Sequence, residues 1–142
     1  MIRLTNLADY AVVVMTAAAK ARDPRLSAAG VAAATGLPAP TVAKLMGGLA
    51  RAGLLASSRG VAGGFRLARP AADITLADIV EAIDGPIALT SCAHEAASDC
   101  AIEGACAVKP HLGIVTKTVR EALQAVSLAQ LAGAEAVEFE EA

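Results

Sequence analysis

The apolar pattern of this chain changes character at Gly53, and the change limits the folds open to it. Before that point hydrophobic residues recur at helical spacing; after it two short runs read as strands around a glycine-rich tip. Leu7, Tyr10, Ala11, Val14, Met15 and Ala18 predict a first helix from Leu7 to about Ala21, broken by Asp23-Pro24. Ser27 is placed to N-cap a second helix through Thr35, which Gly36 ends. Leu37-Pro38-Ala39-Pro40 then leads tightly into a third helix, Thr41 to Ala52, with Val42, Leu45, Met46 and Leu49 inward and Gly53 as a left-handed stop. Two short helices joined by a glycine-containing turn match a helix-turn-helix. Residues 54–57 and 65–68 are the predicted strands, and the basic tip between them, Ser58 to Gly64, completes a winged-helix plan. The expected fold class is mainly α with a small β wing.

Farther along, Pro70 and Asp73 mark a joint, and Thr75 caps a predicted helix from Leu76 to Asp84 that Gly85-Pro86 terminates. Leu76, Ile79, Val80 and Ile83 form its buried stripe. Pro110 occupies the first position of a long amphipathic helix running to about Val126, with Leu112, Val115, Val119, Leu123 and Val126 on one side. Ser127 and Gln130 resemble a capping box opening one short final turn. The long stripe has little in its own chain to cover it, so the expected cover is the same helix of a second subunit; folding back onto its own domain is the alternative. The chain thus divides into a winged helix-turn-helix domain (1–85), a cysteine loop (86–108), a dimerisation helix with a short terminal helix (109–132), and an acidic tail (133–142) expected to be disordered.

Net charge is only −2, but it is sorted along the chain. Residues 1–70 carry nine Lys or Arg against two Asp, and residues 71–142 carry three against twelve acids, or +7 and −9. A basic half suggests a polyanion, because cationic side chains release counterions condensed on phosphate. Thr41 and Lys44, near the start of the third helix, are candidates for base edges; Arg51 and Arg59 suit phosphate or the minor groove, and Arg3 belongs to the same cationic set. Gly60, Gly63 and Gly64 would let the wing backbone approach a duplex closely, although a glycine tip also serves an ordinary turn. Gly47-Gly48 inside the third helix costs roughly 1 kcal/mol per glycine relative to alanine.

The three cysteines, Cys92, Cys100 and Cys106, stand at C-x7-C-x5-C. An odd number cannot pair fully within one chain, and no leader pattern opens the sequence, so a reducing cytoplasm is expected. No run of about 18 apolar residues predicts a membrane span. Soft thiolates in one short loop suit an iron–sulfur cluster or, with a histidine, structural zinc. His94, two residues after Cys92, and His111, at the start of the long helix, are further donors, each also ordinary where it stands. Neither a Ser/His/Asp set nor paired carboxylates is present, which ranks an enzyme, or a cluster carrier, last.

Several segments together resemble the Rrf-two family of winged-helix regulators. They are Met1-Ile2-Arg3-Leu4-Thr5 through Asp9-Tyr10-Ala11, Ser57-Ser58-Arg59-Gly60 with Gly63-Gly64-Phe65-Arg66-Leu67, Ile74-Thr75-Leu76 to Asp84-Gly85, and the late cysteines. The likeness spans about Met1 to Ala132 and is nearest to members that regulate SUF cluster assembly. It implies a homodimer that binds promoter DNA and holds a 2Fe-2S or 4Fe-4S cluster through Cys92, Cys100 and Cys106. Two extra residues between the first two cysteines depart from the C-x5-C-x5-C of IscR. The histidine that IscR carries three residues after its last cysteine is Lys109 here. Asp9 matches the aspartate that NsrR-type members donate from the first helix of the other subunit, which makes it the expected fourth ligand ahead of His94 and His111. The implied function is repression of iron–sulfur assembly genes; a zinc-stabilised or redox-thiol DNA-binding regulator is the alternative.

Overall fold

The computed structural model describes residues 2–61, 63–93 and 98–133. Helix α1 (Asn6–Lys20) starts on Thr5, whose hydroxyl accepts the Ala8 N–H at 3.1 Å and donates to both carboxylate oxygens of Asp84 at 2.9 Å. One side chain thereby caps the first helix and ties it to the end of the fourth. Helix α2 (Ala28–Thr35) is capped by Ser27 and closed by Gly36 at φ 76°. Helix α3 (Ala39–Arg51) begins two residues before the expected Thr41. Its first turn accepts Pro40 because the N–H groups there lack helical partners in any case.

Strands β1 (Leu55–Ser58) and β2 (Gly64–Leu67) pair antiparallel, Leu55 opposite Leu67 and Ser58 opposite Gly64. Leu26 extends this hairpin on its other edge, exchanging N–H to carbonyl bonds of 2.7 and 2.8 Å with Phe65. After a 3-10 turn at Ala71–Asp73 comes α4 (Leu76–Asp84), opened by a reciprocal capping box between Thr75 and Asp78. Helix α1 packs against α2, α3 and α4, and Val14, Met15, Val42, Met46, Leu49, Leu55, Ile74 and Ile79 are fully buried between them and the hairpin.

Helix α5 (Lys109–Gln124) packs on α4 and on the 3-10 turn Ser91–Ala93. Its expected stripe divides. Leu112, Val119 and Leu123 are half-buried, whereas Val115 is 45% exposed and its neighbour Ile114 67% exposed. The helix therefore does fold back on its own domain along one side, and an apolar strip remains open on another. The chain then returns to the core through α6 (Leu128–Leu131), which packs against α1. Leu128 is fully buried and donates its N–H to Ile74 at 2.7 Å, while Leu76 donates to Val126 at 2.9 Å. The last helix thus shares the core of the first domain, although the sequence grouped it with α5. Among the described residues no helix is long and apolar enough to cross a membrane. The tail from Ala134 onward lies outside them.

Candidate nucleic-acid interface and cysteine site

The outward face of α3 carries half-buried Thr41 and exposed Lys44 near its start, and exposed Arg51 in its last turn. The guanidinium of Arg51 lies back over the glycine pair. A Cβ on Gly47 would stand 3.4 Å from its Nη1, and one on Gly48 3.8 Å from its Nη2 and 3.6 Å from Ile83. These are ordinary distances or nearly so, and packing inside the chain does not demand either glycine.

The wing glycines divide by cause. Gly60, at φ 96°, adopts a backbone that a side chain would strain. A Cβ at Gly63 would lie 2.5 Å from the Ser58 carbonyl oxygen, and one at Gly64 2.8 Å from that of Leu26. The hairpin's own turn and the Leu26 bridge therefore account for Gly63 and Gly64 without a duplex. Arg59 stands exposed beside the tip, and Ala62 lies outside the described residues. Arg66, exposed on β2, was absent from the expected contact set; the signal for it was a lone cation between Phe65 and Leu67, both turned the other way. Arg3 lines a groove with Asp84, Pro86 and Leu123 where the N-terminal segment meets α4 and α5.

The cations differ in what they hold. Among the described residues, Lys44, Arg51, Arg59 and Arg66 form no ion pair, whereas Lys117 pairs with Glu121 at 3.6 Å, Arg120 with Glu81 at 2.7 Å, and Lys109 with Glu103. Arg69, past the hairpin, pairs with Asp78 at 3.6 Å. Hydrogen bonds from Arg120 hold the Glu81 carboxyl below its ordinary value, against the opposing effect of burial and with help from the Ile87 N–H. Charge on α3 and the wing is free to meet phosphate; on α5, Arg120 ties the helix to α4, Lys109 ties its start to the cysteine loop, and Lys117 pairs within the helix.

Cys92 sits in the Ser91–Ala93 turn, Cys100 follows the Ser98 hydroxyl that accepts its N–H at 3.1 Å, and Cys106 closes a 3-10 turn at Glu103–Ala105. All three are free thiols and half-buried, and the Thr90 hydroxyl lies 3.3 Å from the Cys92 sulfur. The Lys109 ammonium is shared by this loop. Its bond to Glu103 raises its pKa first, and the charges of Cys92 and Cys106 add to the rise. Glu103 is lowered in turn, by Lys109 and then by Ser98. A cation thus occupies the position where the resemblance puts a histidine in IscR.

Three half-exposed thiols suit soft-metal ligation. Within one chain, however, no three His, Cys, Asp or Glu side chains among the described residues converge on a metal position. Asp9 is exposed in the first turn of α1, where it also complements the helix dipole, and His111 is exposed at the start of α5. His94 lies outside the described residues.

A profile of the Rrf2 family, described as an iron-dependent transcriptional regulator, matches residues 4–134. The chain belongs to the Rrf2 family. Protein aau3 of Rhizobium meliloti is 31% identical to this Rrf2 protein over 129 residues, covering 91% of the chain and 84% of aau3. The chain spans about half the length of two helix-turn-helix regulators that it also matches, 55% of one from Rhodobacter capsulatus and 54% of one from Mycobacterium tuberculosis. Among solved structures it is similar to CymR (YrzC), the global cysteine regulator of B. subtilis, at 26% identity and a TM-score of 0.70, covering 96% of this chain and all (100%) of that one. T. potens IscR is likewise 26% identical, with a TM-score of 0.67 over 99% of this chain and 94% of IscR. The Rrf2 protein is therefore a winged-helix transcriptional regulator that binds DNA, and it is not an enzyme.

Proposed function

We propose that this Rrf2 protein is a cytoplasmic homodimer that represses iron–sulfur cluster assembly genes and reads cluster status through Cys92, Cys100 and Cys106. The observation that carries the DNA half is the contrast between unpaired cations on α3 and the wing and fully paired cations on α5. Thr41 and Lys44 face the base edges, Arg51, Arg59 and Arg66 the phosphates, with Arg59 beside the minor groove. Changing Arg59 to Ala is expected to weaken promoter binding about tenfold at low salt and to reduce the salt slope by about one. Equal affinity and slope in titrations against salt would remove Arg59 from the interface.

The cysteines supply three thiolates, and Asp9 of a second copy the fourth donor. A cluster held there contributes an oxygen- and redox-labile centre. The protein's part is mechanical: the Ser91–Ala93 turn rests on α5, α5 on α4, and α4 on α3. Closing the loop on its ligand tightens that series and shifts the population of DNA-competent dimers. Each Cys→Ser variant is expected to lose the visible chromophore after anaerobic reconstitution, and Asp9→Ala to shorten its lifetime. Spectra and lifetimes equal to the parent's contradict the ligand set.

A second reading is favoured by the separation of the three free thiols within one chain and by the likeness to a cysteine regulator. In it the loop is a thiol switch, or a zinc site, on the same DNA-binding frame. Metal and sulfide analysis of anaerobically purified protein separates the readings.

A further inference from the structure

A cavity of about 400 Å3 opens between the Ser91–Ala93 turn and α5. Its lining is chemically uneven. Among the described residues, Lys109, Lys117 and Arg120 line it and no carboxylate does; their partners Glu103, Glu121 and Glu81 stand outside the lining. Each cation keeps donors beyond the bond it already makes, since an ammonium has three and a guanidinium five. Cys92 lines the cavity, and neither Cys100 nor Cys106 does. Thr116, also in the lining, carries the one buried side-chain oxygen without a partner among the described residues.

We propose that this cavity binds a small carboxylate-bearing disulfide and that Cys92 exchanges with it. The proposal rests on the cysteine loop being the sensing element, and adds to it a substrate class and a single reacting sulfur. The cations hold the carboxylates, and the Thr90 hydroxyl at 3.3 Å supports the sulfur of Cys92 as it acts. Cys92 gives its proton to solvent and its thiolate attacks one sulfur of the bound disulfide. A Cys92–S–S–R bond forms as the original S–S bond breaks, and R–S⁻ leaves and takes a proton from solvent. Cys92 is oxidised, and the departing half of the disulfide is reduced. The modified Cys92 is lost as a metal donor, so the exchange opposes loading of the loop.

The test uses the reduced, metal-free full-length protein with two probes, anionic glutathione disulfide and cationic cystamine. Peptide mass spectrometry follows each cysteine over time. Glutathione disulfide is expected to modify Cys92 at least about fivefold faster than Cys100 or Cys106, a preference that cystamine does not reproduce. Lys117→Gln, checked for unchanged thermal unfolding, is expected to abolish the preference without slowing modification by cystamine. Equal rates at the three cysteines, or a Cys92 preference shared by both probes, overturns the proposal. These rates involve neither DNA nor a cluster, so a failure of the exchange is separable from a failure of the regulatory reading.

Discussion

Gly63 shows at the scale of one residue how a sequence feature can carry a structural cause beside the functional one expected of it. Its position 2.5 Å (for an added Cβ) from the Ser58 oxygen means that Gly63→Ala must displace backbone, with an expected loss of about 2 kcal/mol of stability. Denaturant unfolding with an unchanged midpoint contradicts this. The Gly47-Gly48 pair is the opposite case, because a Cβ there meets only ordinary neighbours. Such differences were not legible in the sequence, since each depends on which carbonyl a distant turn brings close. The caps were legible, because Ser27, Thr75 and Ser127 act on backbone three residues away and need no tertiary knowledge. For the candidate site, the chain order gave the three thiols and the exposed Arg59; the Lys109–Glu103 pair and the orphaned Thr116 hydroxyl appear only once α5 is placed.

Among the elements, α5 carries the most consequence, because it connects the cysteine turn to the helices behind the reading head. Its anchor to α4 is the Arg120–Glu81 pair, with hydrogen bonds of 2.7 and 3.1 Å. Glu81 in the folded protein titrates below its ordinary value of 4.5, so the folded state binds fewer protons than the unfolded one. The stabilisation is complete above that value and is lost as pH falls through the lower folded value. Glu81→Gln is expected to flatten the pH dependence of unfolding in this acidic range, read by thermal melts from neutral pH downward; identical profiles contradict the anchor. Periodicity located α5 but not how its apolar face divides. One apolar stripe was expected, covered by a partner or by the chain's own domain; Leu112, Val119 and Leu123 are half-buried within the chain, and Ile114 with Val115 stays open. A 3.6-residue repeat marks which side is apolar; it does not say which neighbour covers which part.

Across the whole molecule, the partition of charge between residues 1–70 and 71–142 corresponds to a division of labour. Lys44, Arg51, Arg59 and Arg66 form no ion pair on α3 and the hairpin, whereas Arg120 and Lys109 tie α5 to its neighbours. In the dimer we propose, the open strip at Ile114 and Val115 meets a second copy and sets two reading heads on a two-fold axis. Function then depends on whether the state of the cysteine loop reaches α3 through α5 and α4. The most direct measurement is promoter-fragment affinity of the anaerobically reconstituted and the cluster-free protein, side by side at one salt concentration. A difference of about tenfold or more, abolished together with the chromophore in the Cys92→Ser variant, is the expected result. Equal affinities for the two forms would contradict it.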